Sequence, residues 1–161
     1  MSTQIARAQI VVLALLLTAP AMAAGRAPQP EAATTHSRIY NYSNADAWQR
    51  AVSVVGRDGM YISSADKLGG SITAQLSLVA PPRSGTVRDW ADCGVVSLLE
   101  RPLNQRVDMS ISIQPSGRGA AVSIGAQFKE LRQGANGAVR TINCASTGVL
   151  EDEMLLRLSQ S

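Results

Sequence analysis

One histidine, two cysteines and two lysines are all that 161 residues contain of those types, and each shortage excludes something. A lone His36 with Cys93 and Cys144 cannot furnish the four N/S ligands of a tetrahedral zinc site, so no metal and no cofactor are expected. The cysteines stand about fifty residues apart, far from the Cys-x-x-Cys spacing of a redox pair. No apolar run is long either: Ile10 to Leu17 falls well short of the roughly 20 residues that span a bilayer. Charge of one sign is also missing. Without residues 1–23 the chain loses Arg7 alone and keeps 14 basic against 12 acidic side chains, a net of +2. That is too small to imply a nucleic-acid partner. The arginines are scattered rather than clustered, which is the pattern of GC-rich coding more than of a phosphate-binding surface.

The short apolar run has another use. Arg7 precedes it, Pro20 ends it, and Ala21-Met22-Ala23 places small residues where a signal peptidase cuts. Residues 1–23 are therefore expected to be a removed signal peptide. No cysteine precedes Cys93, so no lipid-anchoring motif accompanies it. The expectation is a soluble mature chain from about Ala24, periplasmic or secreted, with no transmembrane span. An even cysteine count in an exported chain reads as a structural disulfide, Cys93 to Cys144. Closing a loop of that length stabilises a fold by about 4 kcal/mol in the chain-entropy view.

Residues 24–37 are rich in Ala, Pro, Gln and Thr and read as a flexible tether, leaving 38–161 as one domain. Arg38 to Tyr42 alternates like a strand. Ser43 or Asn44 then caps a helix whose Trp48, Val52 and Val55 recur at helical spacing. Met60 to Ser64 and Ser71 to Val79 form a hairpin around Asp66 to Gly70. Val107 to Gln114 and Ala120 to Phe128 form a second hairpin, apolar residues on one face and polar on the other. Residues 80–106 are irregular and include Pro81-Pro82, Trp90 and Cys93. Val95 to Leu99 reads as a short helix or an apolar loop packed on the core. Val139 to Asn143 is a short strand, and Ser146 or Thr147 caps a last helix with Leu150, Met154, Leu155 and Leu158 on one side. The sum is an α+β domain: a single antiparallel sheet with two helices packed on one face and one disulfide.

Motifs with chemical content fare poorly. Ser64-Ala65-Asp66-Lys67 matches the S-x-x-K nucleophile of penicillin-recognising enzymes, but it falls on a strand end and a turn, without its companion motifs. A Ser-His-Asp triad would have to recruit His36 from the tether. Glu151, Asp152 and Glu153 read as carboxylates favoured at a helix N-terminus rather than as cation ligands. Gly117 to Gly119 and Gly134 to Gly137 read as turns. Asn41-Tyr42-Ser43 is a glycosylation sequon in a chain of bacterial composition. Trp48 is in phase with a helix core face. Trp90 either covers the disulfide or anchors a partner.

Ala47-Trp48, Gly59 to Ile62, Asp66-Lys67 and Gly70 to Ile72, with Cys93-Gly94 and Cys144 to Glu151, carry a resemblance. The first set resembles the helix-grip domains of lipoprotein C of the bacterial β-barrel assembly machinery. The whole resembles exported envelope domains over residues 38–158. The resemblance implies a helix-grip fold and an envelope setting, and brings no catalytic residue. The expected function is a non-catalytic periplasmic binding or scaffold domain docking on a cell-envelope protein, with Trp90, Arg83 and Arg88 as contact residues. A groove between the helices and a free strand edge are the surfaces it would use. The alternative is a small-molecule or lipid carrier with an apolar cavity between sheet and helices.

Overall fold

The computed structural model describes residues 35–79 and 89–160. The expected signal peptide, Arg83 and Arg88 lie outside them. Alternation decides the sheet. In β3 (Ser71–Val79), β5 (Glu100–Ser116) and β6 (Gly119–Gly134) the register sets Ile72 beside Ile111 beside Ile124, and Ala74 beside Met109 beside Ala126. Paired residues share a face, so these six side chains, all buried, form one apolar layer. Thr73, Ser110 and Gly125 likewise pair across the other face, where Ser71, Thr73, Ser110, Ser112 and Gln127 are exposed.

Among the described residues the sheet has seven antiparallel strands. β2 (Tyr61–Asp66) is one edge, followed by β3, β5, β6, β7 (Val139–Ser146) and the two-residue β4 (Ala91–Asp92), while β1 (Thr35–Tyr40) also pairs with β6. β6 is long enough to serve two partners in series: residues 120–125 pair with β1 and residues 128–133 with β7. The α+β class, the single antiparallel sheet, the two helices and the disulfide are as the sequence indicates.

Both helices cover the apolar layer. α1 (Asn44–Arg57) starts at Ser43, whose hydroxyl accepts from the Asp46 amide at 3.1 Å, the expected N-cap. Its most buried residues are Ala47, Ala51, Val54 and Val55; Trp48 and Val52 flank them, half-buried. Two alanines at i and i+4 bring the helix close to the sheet, which shifts the contact line from the one the larger side chains mark. α2 (Val149–Gln160) buries Leu150, Met154, Leu155 and Leu158. Tyr40 ties β1 to α2: its hydroxyl donates to the Leu155 carbonyl at 2.5 Å, and its ring stacks on Tyr42 at 4.9 Å.

Several boundaries differ from the sequence reading. β1 begins at Thr35, so Thr35, His36 and Ser37 belong to the domain and not to a tether. An edge strand made by pairing on β6 carries no alternation of its own to announce it. β5 and β6 extend far beyond their alternating cores, taking in Glu100 to Arg106 and Lys129 to Gly134. Their outer parts bury charged side chains, which erases the pattern. Of the two readings of Val95 to Leu99 the loop is found, but Val95, Leu98 and Leu99 face solvent instead of packing on the core. Among the described residues no helix is long and apolar enough to cross a membrane.

Burial pushes the Tyr40 phenol up to about 12, with the neighbouring Tyr42 adding to it and Arg38 opposing. The folded chain thus keeps this proton to higher pH than the unfolded one. Its contribution is full below pH 10 and lost as pH rises through about 12. Tyr40→Phe should cost about 1 kcal/mol at neutral pH through the lost hydrogen bond and flatten that alkaline decline. Urea midpoints measured from pH 8 to 12 on both proteins check it; parallel declines would show that Tyr40 is not the group responsible.

Candidate functional site

The densest chemistry sits where β5 begins and β6 ends. Arg132 is 3% exposed. Its Nε donates to Glu130, its Nη1 to the Val95 carbonyl at 3.0 Å, and its Nη2 to the Cys93 carbonyl at 2.6 Å and to Gly94 at 3.3 Å. The other Glu130 oxygen accepts from the Gln105 amide at 2.6 Å. Glu100 lies 3.8 Å from Arg132 and pairs directly with Arg140. The Cys93–Cys144 disulfide, with a Cα separation of 4.2 Å, fixes the same segment to β7. β4 pairs Ala91 and Asp92 with Ser146 and Ala145, and Thr147 holds the Trp90 carbonyl through its amide at 2.9 Å and the Asp89 carbonyl through its hydroxyl at 2.5 Å. Residues 89–95 are therefore stitched down covalently, by strand pairing and by a buried guanidinium. Trp90 is half-buried against the core, and its neighbourhood joins β4, β7 and the entrance of α2.

Beside this corner lies the start of α2. Ser146 Oγ donates to Glu151 at 2.8 Å and accepts from the Gly148 amide at 3.1 Å. Glu151 is fully buried, and its second oxygen has no partner among the described residues. Gly148 has φ +82°, and a Cβ there would stand 2.6 Å from the His36 ring. That close approach fits glycine. His36 Nδ1 meets Asp152 Oδ1 at 2.7 Å. An Asp–His pair thus exists in the folded domain, but among the described residues no hydrogen bond joins it to a serine hydroxyl, and Ser146 is engaged by Glu151. Glu151, Asp152 and Glu153 face three ways, towards Ser146, His36 and Arg157 respectively. Among the described residues no three His, Cys, Asp or Glu side chains gather as metal ligands would. Ser64 lies in β2 just past a bulge, and Asp66 accepts from the Leu68 and Gly69 amides at 3.1 and 3.0 Å. The S-x-x-K match is a polar hairpin turn.

A third feature lies at the C-terminal ends of the helices. Val54, Arg57, Asp58, Arg157 and Gln160 line an open cleft of about 350 Å³. Arg157 bonds one Asp58 oxygen; the other is buried with no partner among the described residues. Asp58 leads directly into β2, whose outer edge has no partner strand among the described residues and whose Tyr61 is exposed on the open sheet face. Sequence spacing brings Arg57, Asp58 and Tyr61 near one another, but nothing in it signals that Arg157 joins them from 99 residues away.

No protein-family model matches the chain, and no curated protein does. Among solved structures, a DUF4468 family protein from Bacteroides ovatus aligns at 12% identity with a TM-score of 0.35, over 73% of this chain and 66% of that one.

Two substitutions probe the corner. Arg132→Met leaves Glu130 buried and unpaired, and should destabilise the domain by about 3–5 kcal/mol. Combining it with Glu130→Leu should recover much of the loss, because no lone charge then remains inside. Denaturant unfolding of the single and double variants decides; equal stability of the two would show that Glu130 is not what suffers. Trp90→Ala should cost about 2 kcal/mol through lost packing, read in the same experiment. An unchanged midpoint would make the ring available for a partner instead.

Proposed function

We propose that this chain is a non-catalytic binding or scaffold domain that docks on a cell-envelope protein, in the periplasm or outside the cell. The supporting observation is the juxtaposition of a free strand edge with a polar cleft. Among the described residues no strand pairs with the outer edge of β2, and such an open row of backbone donors and acceptors is the usual template for an added strand. The cleft beside it presents Arg57, with no ion pair among the described residues. A peptide laid along β2 would find hydrogen bonds on the strand and the Arg57 guanidinium in the cleft. Trp90, beside β4, and Arg83 and Arg88, which lie outside the described residues, remain contact residues of this proposal. The carrier alternative gains less support, since the cleft described here has charged walls and lies at the helix ends, not between helices and sheet.

The short length of β2 and its bulge between Ile62 and Ser64 limit indiscriminate pairing at this edge. A docking strand must therefore be matched in register, with the cleft supplying part of the selection.

A photo-crosslinking amino acid at position 61, introduced in intact cells, should give one discrete adduct with an envelope protein. Arg57→Glu should weaken that adduct several-fold without moving the melting temperature. A crosslinker at position 118, in the β5–β6 turn, serves as control. The same adduct pattern from both positions would refute docking at β2.

A further inference from the structure

The apolar layer of the sheet runs out to the β2 edge and is uncovered there. One row consists of Ile124, Ile111, Ile72 and Ala65, the next of Ala126, Met109, Ala74 and Ile62. The first three residues of each row are buried, but on β2 Ile62 is half-buried and Ala65 exposed. The bulge between Ile62 and Ser64 keeps both on the helix side, opposite Ala74 and Ile72, although they stand an odd number of residues apart. The helix beside them, α1, has one flank without charge. Asp46, Arg50 and Arg57 recur at helical spacing on the other flank, and that one faces α2. Arg57 lines the cleft with Arg157, and Arg50 lies 4.8 Å over the ring of Tyr42, whose hydroxyl donates to the Leu158 carbonyl. The opposite flank carries Ala45, Trp48, Gln49, Val52 and Gly56, all uncharged. α2 packs on β1 and β6, whereas α1 reaches β2, so the uncharged flank turns toward the β2 edge. We propose that Trp48, Val52 and Ile62 form an apolar strip that receives the alternate side chains of an extended partner segment laid along β2. That segment carries uncharged apolar residues two apart, as Ile72 and Ala74 stand on the inner edge of β2.

If β2 is the docking edge, the reading on which this inference rests, the strip decides what docks. Trp48, Val52 and Ile62 are half-buried and packed against the core. Each therefore keeps apolar surface that a strand lying about 4.8 Å beyond β2 would cover. Pairing along the edge fixes which side chains of the incoming segment face α1, because neighbouring residues of a strand point to opposite faces. On that side the α1 flank offers no counter-charge, so a charged side chain would lose water and gain no partner. Apolar residues are the ones that suit. On the other side the segment would lie beside Tyr61, Ser64 and Asp66, which share the open face with Gln75, Thr73 and Ser71 and are exposed. Polar residues suit there. The edge thus selects an alternating segment, apolar toward the helix and polar toward solvent, and rejects one that is charged on both sides.

The probe is a synthetic peptide with the sequence of Ser71–Leu78, which alternates in this way and already matches β2 on its inner edge. Its control contains the same residues with all the polar ones first and all the apolar ones last. Added to the purified full chain, the alternating peptide should shift the tryptophan emission to the blue and saturate, and the control should not. The shift should vanish in Trp48→Phe, where Trp90 alone reports. Val52→Gln should weaken peptide binding about tenfold. Val52→Thr, close to valine in volume and milder for the fold, should weaken it about threefold. No shift, equal shifts with the two peptides, a shift that persists in Trp48→Phe, or unchanged affinity in both Val52 variants would overturn the strip. The crosslinker at position 61 separates this inference from the docking reading. An adduct in cells that neither Val52 variant weakens leaves docking at β2 in place and removes the strip; a wild type without any adduct removes docking and the strip together.

Discussion

The structure depends most on a guanidinium that cannot reach water. Burying a cation costs several kcal/mol unless its donors are used and its charge is matched, and Arg132 meets both conditions. Glu130, two residues away on the same strand and face, supplies the opposite charge. Gln105, directly across on β5, holds the remaining Glu130 oxygen. The other donors go to three consecutive backbone carbonyls. Those carbonyls belong to a segment with no helix and almost no strand, so they would otherwise be unpaired. The ion pair does what a ladder of hydrogen bonds does elsewhere: it gives an irregular segment a fixed place on the sheet. Hydrophobic residues of equal volume would pack as well, but could not satisfy the carbonyls of residues 93–95.

β6 turns this local device into an architectural one. Its first half is apolar on the helix-facing side and pairs with β1, and its second half carries Glu130 and Arg132 and pairs with β7. One strand therefore joins the hydrophobic core to the polar corner. The two partners meet end to end along it, which brings the beginning of β1 against the entrance of α2. The His36–Asp152 contact and the glycine at position 148 follow from that meeting: two backbones arrive at one place, and a side chain at 148 would collide with the imidazole.

The legibility of the sequence follows the same division. Wherever one face was apolar and the other polar, alternation marked the strands: Ser71 to Val79, Val107 to Gln114 and Ala120 to Phe128 all lie in strands as expected. The cysteine pairing and the N-cap at Ser43 were legible too, because each is a local or nearly unique choice. What stayed hidden was the part of each strand where burial is polar. Gln105, Glu130 and Arg132 are buried, yet by residue type they look like surface, so the strands seemed to stop before them. β1 was cut short for a related reason: Thr35 to Ser37 have no apolar rhythm and are held by a partner strand more than eighty residues distant. The exposed loop at residues 95–99 was visible as apolar residues but not as exposed ones, because an apolar run reads equally well as core.

The disulfide and the Arg132 network both hold residues 93–95, and they act on different states. The disulfide restricts the unfolded chain by holding together residues 51 apart in sequence. The network acts only in the folded state, where Glu130 and Gln105 are already aligned by the β5–β6 pairing. Either alone would leave something free: the disulfide fixes one α-carbon but not the peptide planes after it, and the guanidinium orients those planes but depends on the segment's being close. Together they fix both position and orientation at the root of a loop whose tip gains nothing from the core. Ordering a solvent-exposed aliphatic tip brings no burial to offset its entropy, so the order at its base must be supplied by groups outside it. That division, a rigid polar root bearing an unburied apolar tip, keeps the leucines from collapsing onto the domain's own surface.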